Sequence, residues 1–413
     1  MKNAFSLTNF LKQSPVAQAF ILVAIINASL LYFNPLQKLD PQAIVSNRTW
    51  AWWAVKDFRE NPSDVIMMGS SFIMNPTWQE EAVYRKQSVD LVVDHRTTYL
   101  EDAIKSRALV PQNLRCFNFG LPGAMVSDQA MIVETMCQGP QKPKMAIFCV
   151  APRDLMDCRF FNAGGSKHFR YLTNFTENKQ AKDLAFMDVP GKFADWFSNA
   201  LFFKNKSNEI QTLRANALKS VMQPYLATLP PSPLNQNSEE DRRSVFKRDE
   251  IEKGAWLAHP NTPYWYVNSS PDCRMRYKHL NSQVFENQKI WLDKALKTCK
   301  ERGVKAVVVN VPSSPEAREC MFPGIYERHV EAVTTITKAN DIPFYNLDPG
   351  WKHEQKDYTD WGHMGPQGGS KMLNAIASIV AGNQELVTAL NSPSNNNSAN
   401  RKVAESEGKQ DAL

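Results

Sequence analysis

Asp64-Val65-Ile66-Met67-Met68-Gly69-Ser70-Ser71 sets a short apolar run against a turn of small residues. Such a run, bounded by small residues, reads as a strand buried on both faces, the kind found in parallel sheets. A serine on the turn after it stands at the carboxyl end of the strand, where open α/β sheets hold their ligands. The strand-to-helix turn exposes its hydroxyl, as a nucleophile elbow does. A serine becomes a nucleophile only when a histidine takes its proton and a carboxylate fixes that histidine's tautomer. Asp360-Trp361-Gly362-His363, far along the chain and just before a helix-like segment, supplies both. Ser71, His363 and Asp360 are therefore the candidate catalytic residues: nucleophile, base and orienting acid.

Working outward, helix-like and strand-like stretches alternate. A helix is expected to open near Thr77, where Glu80 completes a capping-box pattern. Strands are expected at 116 to 119 and 144 to 150, with a helix starting at about Ser127 between them. A helical stretch from Asn281 to Arg302 ends at Gly303 and leads into Val304-Lys305-Ala306-Val307-Val308-Val309-Asn310, apolar enough for a central parallel strand. Helix-like 325 to 340, strand-like Ile342 to Leu347 and helix-like 367 to 381 complete the pattern. The fold class expected is α/β, a three-layer doubly wound parallel sheet between layers of helices.

Residues from about 158 to 280 interrupt this alternation with an aromatic-rich insertion that includes Trp196, Phe197, Phe202, Phe203, Tyr264, Trp265 and Tyr266. These aromatics read as the insertion's own small core or as a lid or carbohydrate-binding wall beside the site. Thr228 to Glu250, with Pro230, Pro231 and Pro233 before a charged stretch, reads as a flexible loop. Asn391 onward is rich in Asn, Ser and charge and reads as a disordered tail.

Val16 to Phe33 is apolar except for Gln18, Asn27 and Ser29, and is long enough to span a bilayer. Lys2 and Lys12 precede it, and no small-x-small cleavage site follows a short core. An uncleaved signal anchor is expected, with the N-terminus cytoplasmic and the bulk of the chain outside, in the periplasm or at the cell surface. Lys38, Arg48, Lys56 and Arg59 dilute that orientation signal. The organisation expected is a cytoplasmic N-terminus at 1–15, an anchor at 16–35, a juxtamembrane linker at 36–60, a catalytic domain at 61–385 and a tail at 386–413.

A formal net charge of +6 over 413 residues is spread rather than clustered. That suits anionic glycan or lipid headgroups and gives nucleic-acid binding no support. Seven cysteines include no CxxC pair and no metal-finger spacing, and read mostly as small buried hydrophobes. His353, Asp357, Asp360 and His363 crowd a short stretch and raise a metal-hydrolase alternative, but no carboxylate-rich counterpart appears at another strand end. No metal and no cofactor is expected. His95, His168 and His279 show no partner pattern and are read as structural. Asp64 is read as a cap or turn residue.

Four blocks together resemble the SGNH (GDSL-type) hydrolase superfamily over residues 63 to 381. In Gly69-Ser70-Ser71, Ser71 matches the nucleophile position and Ser70 replaces the usual Asp. Asn118-Phe119-Gly120-Leu121-Pro122-Gly123 is similar to the family's Asn-x-Gly-x-x-Gly, which implies that the backbone N–H groups of Ser71 and Gly123 face the oxyanion. The third block departs from the family: Ala151-Pro152-Arg153-Asp154 stands where Gly-x-Asn-Asp is expected, and Arg153 takes the place of Asn. An arginine's fork of donors suits a developing oxyanion or an anionic substrate group, and a salt bridge to Asp154 or Asp157 is an equal reading. Arg153 is thus a candidate oxyanion residue, and Arg153 and Asp154 are candidate substrate-binding residues. Asp360-x-x-His363, followed by Met364-Gly365-Pro366-Gln367-Gly368-Gly369, matches the closing block.

Within the superfamily the chain looks most like the membrane-anchored branch that includes the D-alanyl-lipoteichoic-acid transfer protein and exopolysaccharide O-acetylation proteins. The resemblance implies a serine esterase or O-acyltransferase acting outside the cytoplasm on an acylated cell-envelope glycan or lipid. It also implies a multispanning membrane acyltransferase as a partner. The alternative is a non-catalytic envelope assembly or glycan-binding protein that keeps the fold, since fold does not fix function.

Overall fold

The computed structural model describes residues 14–38, 50–139, 141–160 and 264–393, with scattered positions between 162 and 261. It divides into two compact units, one formed by Met1–Ser46 with Phe186–Pro230 and the other by Asn47–Ala185 with Pro231–Leu413. The expected loop at 228 to 250 and the part of the expected tail beyond 393 lie outside the described residues, whereas 386 to 391, also expected as tail, are helical with Leu386 and Leu390 buried.

The first unit contains helix α1 (Pro15–Phe33) and the short α8 (Phe202–Asn205). Ser14 caps α1 by accepting the Ala17 N–H at 3.3 Å, and Asn34 closes it in the left-handed region at φ 37°. None of its 19 residues is buried, and α1 is long and apolar enough to cross a membrane.

The second unit begins with α2 (Trp50–Glu60), β1 (Val65–Gly69), α3 (Ser71–Arg85), β2 (Val89–Asp90), α4 (Thr98–Lys105) and β3 (Cys116–Gly120). It continues with α5 (Val126–Met136), β4 (Met145–Val150), α6 (Pro152–Met156) and α7 (Lys167–Leu172). Further along the chain come β5 (Leu257–Ala258), α9 (Ser270–Arg276), α10 (Ser282–Glu301), β6 (Lys305–Asn310) and α11 (Pro315–Cys320). The unit ends with α12 (Ile325–Ala339), β7 (Phe344–Asn346), α13 (Pro366–Gly382) and α14 (Gln384–Asn391).

Five strands form one sheet in the order β3-β1-β4-β6-β7, and every pairing in it is parallel. Alternate strand residues explain how it is buried on both faces. Val65, Met67, Ile147 and Val307 share a core with Leu100 and Ile104 of α4 and with Leu373 and Ile376 of α13. Ile66, Met68, Phe117, Phe148 and Val308 point the other way and are equally buried, on the side of α5 and α10. From β1 the chain winds first outward to β3 and then back past β1 to β4. Strand order therefore reverses between β1 and β4, the position where such sheets open a crevice beyond their carboxyl ends.

Three expectations are corrected. Helix α3 starts at Ser71 rather than near Thr77, and it runs through Pro76. Thr77 is buried inside it, so the Thr77/Glu80 pattern caps nothing. Pro76 has no N–H to give the Phe72 carbonyl, so α3 runs through it with one helical hydrogen bond missing. The stretch expected as a linker at 36–60 contains α2, whose Trp50 and Phe58 are buried against Trp78 and Phe117 with ring centroids 6.1 and 5.3 Å apart. The supposed insertion is also not one body, since α7 and α9 belong to the unit that holds the sheet.

Glycines let α3 sit close to its neighbours. A Cβ on Gly120 would lie 2.8 Å from the Met74 Cα, and one on Gly369 of α13 would overlap the Pro76 carbonyl. Gly369→Ala should therefore destabilise the protein by about 1–3 kcal/mol through overpacking. Chemical denaturation would read this as a lower midpoint with an unchanged slope.

Candidate active site

Gly69 ends β1 where a side chain has no room: its Cβ would lie 2.6 Å from Ile73 Cγ2 and 2.9 Å from the Cys149 carbonyl. Ser70 then turns the chain as the N-cap of α3, its hydroxyl accepting from the Phe72 N–H and its carbonyl from Ile73 and Met74 at 3.0 and 3.1 Å. Ser71 is thereby the first residue of a 15-residue helix. Its hydroxyl stands at the amino end of that helix, where the dipole favours developing negative charge.

The structure brings all three candidate catalytic side chains together. Ser71 Oγ lies 2.8 Å from His363 Nε2, and His363 Nδ1 lies 2.8 Å from Asp360 Oδ2. The other Asp360 oxygen accepts from the backbone N–H groups of Gly362 and His363, each at 2.7 Å. Asp360 is thus held on two sides, and it orients the imidazole toward the serine. Burial pushes the Asp360 carboxyl up, but the facing His363 and these hydrogen bonds outweigh it and hold the group below its ordinary value of 3.8.

The loop that carries Asp360 and His363 is fastened at several points. The Thr359 N–H donates to the His363 carbonyl at 2.9 Å, and the Val267 N–H donates to the Thr359 carbonyl at 2.8 Å. The Trp361 peptide is gripped on both sides: its N–H donates to Ser269 Oγ at 3.1 Å, and its carbonyl accepts from Ser314 Oγ at 2.6 Å. Gly362 has no side chain because Phe72 occupies the space, 2.9 Å from where a Cβ would stand.

Gly123 follows β3 with φ +78°, a left-handed conformation that glycine adopts without strain. Among the described residues, no acceptor takes the backbone N–H of Ser71 or of Gly123. Arg153 forms the salt bridges to Asp154 and Asp157, braces this loop from beneath, and also lines the cavity beside Ser71. Its side chain is only 2% exposed, and it donates to the Gly123 and Ala124 carbonyls at 2.9 and 3.0 Å. It also donates to Asp157 and Asp154 at 3.2 and 3.3 Å, so four of its N–H groups are engaged. The planar fork suits this task, because it holds two successive carbonyls and two carboxylates at once.

Asp154 is not at the substrate surface. It is buried, accepts the Ala151 N–H at 3.0 Å and bonds the Ser70 side chain, so it ties β4's end to the nucleophile turn. Burial raises its carboxyl to about 6, against the pull of Arg153 and these donors. The serine that replaces the expected Asp in the first block thus meets the Asp of the third.

A cavity of about 260 Å³ opens on Ser71, Gly123 and His363 and is walled further by Cys273, Tyr277 and Ala317. The α9 and α11 residues in that wall were not found from the sequence, since no short motif marks them. His168, read as structural, lies beside the site: its Nε2 is 2.9 Å from the Pro122 carbonyl, next to Gly123. The metal alternative finds no assembled ligand set, because among the described residues no three His, Cys, Asp or Glu side chains converge. His353 turns to the Tyr358 hydroxyl at 3.0 Å, and Asp357 pairs with Lys371 at 2.8 Å.

A comparison with known protein families and with curated proteins finds no match for this chain. The chemistry of the site is therefore argued from its geometry.

Folding depresses the Asp360 carboxyl, so its ionised form contributes stability that is complete above its ordinary value of 3.8 and is lost as pH falls through the native value. The stability difference between wild type and Asp360→Asn, measured by urea denaturation, should shrink as pH falls below about pH 4.

Proposed function

We propose that this chain is a membrane-anchored serine esterase or O-acyltransferase of SGNH type, acting outside the cytoplasm on an acylated cell-envelope glycan or lipid. The observation that carries the reading is the unbroken chain of contacts from Ser71 Oγ through His363 to Asp360, 2.8 Å at each step. The parallel sheet order and the placement of Ser71 beyond β1 support it, as does the apolar α1.

The steps follow from the geometry. His363 Nε2 takes the Ser71 proton as Oγ attacks the ester carbonyl, and the carbonyl π pair moves onto oxygen. The Ser71 and Gly123 N–H groups receive that oxyanion, with the amino end of α3 behind them. When the tetrahedral centre collapses, His363 returns the proton to the leaving oxygen and an acyl-serine remains. A water or sugar hydroxyl, deprotonated by His363, then attacks the acyl-serine and frees Ser71. Asp360 stabilises the imidazolium in both halves and stays ionised throughout. Exclusion of water decides between hydrolysis and transfer. Tethering to a membrane favours transfer to lipid-linked or envelope glycans, with a multispanning acyltransferase as the donor-side partner.

A second reading, a non-catalytic envelope assembly or glycan-binding protein, rests on one feature. The side chain that replaces the family's oxyanion Asn is committed to bracing the backbone. Turnover of p-nitrophenyl acetate by the full-length protein separates the two. Catalysis predicts a burst of nitrophenol equal to the enzyme, lost in Ser71→Ala, and a kcat lowered about 10⁴-fold in Asp360→Asn. A folded wild type with no burst and no turnover favours the binding reading.

A further inference from the structure

Helix α1 carries an amide at Asn27, whose nitrogen and oxygen both bond the other half of its unit. Asn27 Nδ2 donates to the Ala200 carbonyl at 2.7 Å, and Asn27 Oδ1 accepts the Phe202 N–H at 2.8 Å. Between those two residues stands Leu201, extended at φ −104° and ψ 114°, where the helical path breaks before α8. A break in a helix leaves carbonyls before it and N–H groups after it without their helical partners, and backbone groups left unpaired in hydrocarbon are costly. Asn27 meets both of the groups that flank this break.

The depth of the contact follows from helix geometry. Asn27 is six residues from the end of α1 at Phe33, which is about 9 Å along the axis at ~1.5 Å per residue. If α1 spans a bilayer, that level lies within the hydrocarbon of the leaflet around the α1 carboxyl end. The Ala200 and Phe202 backbone, bonded to Asn27, lies at the same level.

The side chains nearby agree with that depth. Phe193, Trp196 and Phe203 are each more than 60% exposed, and Phe197 is 46% exposed. Residues 193, 196, 197 and 200 are all helical, a spacing that aligns them on one face. The Phe193 ring lies 5.7 Å from that of Trp196 and 6.2 Å from that of Phe197. Exposed to water, this face would be an unusually large apolar patch. Lys204 is exposed at the end of the segment, suited to reach headgroup phosphates while its stem stays among acyl chains.

We propose that the described residues from Phe193 to Lys206, namely 193, 196, 197 and 200 to 206, belong to a second membrane-embedded segment, held beside α1 by Asn27, with its aromatic face covered by lipid acyl chains. The proposal rests on α1 being the membrane anchor. It replaces the carbohydrate-wall and small-core readings of Trp196, Phe197 and Phe203 with contact to lipid.

Benzoylphenylalanine placed in turn at positions 23, 196, 203 and 109 of the full chain, in phosphatidylcholine/phosphatidylglycerol vesicles, tests this. Position 23 reports the anchor, and Leu109, 93% exposed, is the solvent control. Light should yield lipid adducts by mass spectrometry at 23, 196 and 203 and none at 109. In Asn27→Leu, which keeps α1 apolar, the yield at 203 should fall severalfold while that at 23 persists. Adducts at 23 without adducts at 196 and 203 would overturn the proposal and leave the anchor standing. Absence at 23 would remove both. Protein adducts in place of lipid at 196 and 203 would also overturn it, assigning the face to another polypeptide.

Discussion

The hydrogen bond of 2.8 Å between Ser71 Oγ and His363 Nε2 joins parts of the chain 292 residues apart, and much of the second unit is arranged so that it can form. Ser71 is placed by β1 and by the start of α3, and His363 by a loop just before α13. The two side chains meet only because α3 and α13 pack closely. Gly369 of α13 opposite Pro76 sets that approach, while Gly120 of β3 opposite Met74 seats α3 against the sheet. A side chain at either glycine would press on α3, the helix that positions Ser71.

A second layer of contacts fixes what surrounds the pair. The Trp361 peptide is gripped by Ser269 and Ser314, from segments that precede α9 and α11, so the walls of the cavity also hold the catalytic loop. On the other side, Arg153 braces the Gly123 turn by its carbonyls, and among the described residues no acceptor takes the Gly123 N–H. The charge on Arg153 is balanced by Asp154 and Asp157 and buried with them, so its role is positional. Such a cluster is costly to assemble and costly to break, which makes it a rigid support rather than a source of net stability.

The sheet and the triad were legible in the sequence because they depend on local pattern. Val65–Gly69 and Met145–Val150 are continuous apolar runs, Lys305–Asn310 holds another from Ala306 to Val309, and the Asp360/His363 spacing is short enough to read directly. What escaped reading depends on distant contact. Thr77 looked like a helix start, yet it is buried inside α3, which begins at Ser71 with Ser70 as its cap. Trp50 and Phe58 looked like linker residues, since nothing local announces that Trp78 and Phe117 will cover them. The part played by Arg153 was visible only as residue type. Whether its fork met substrate or backbone depended on where the turn after β3 would lie.

The central claim is that Ser71 is an activated nucleophile, and its reaction with a fluorophosphonate probe tests that claim most directly. Wild-type protein should label on Ser71, with the site located by peptide mass, while Ser71→Ala and His363→Ala should not label although both remain folded. A folded wild type that never labels, or label that persists in Ser71→Ala, would contradict the account.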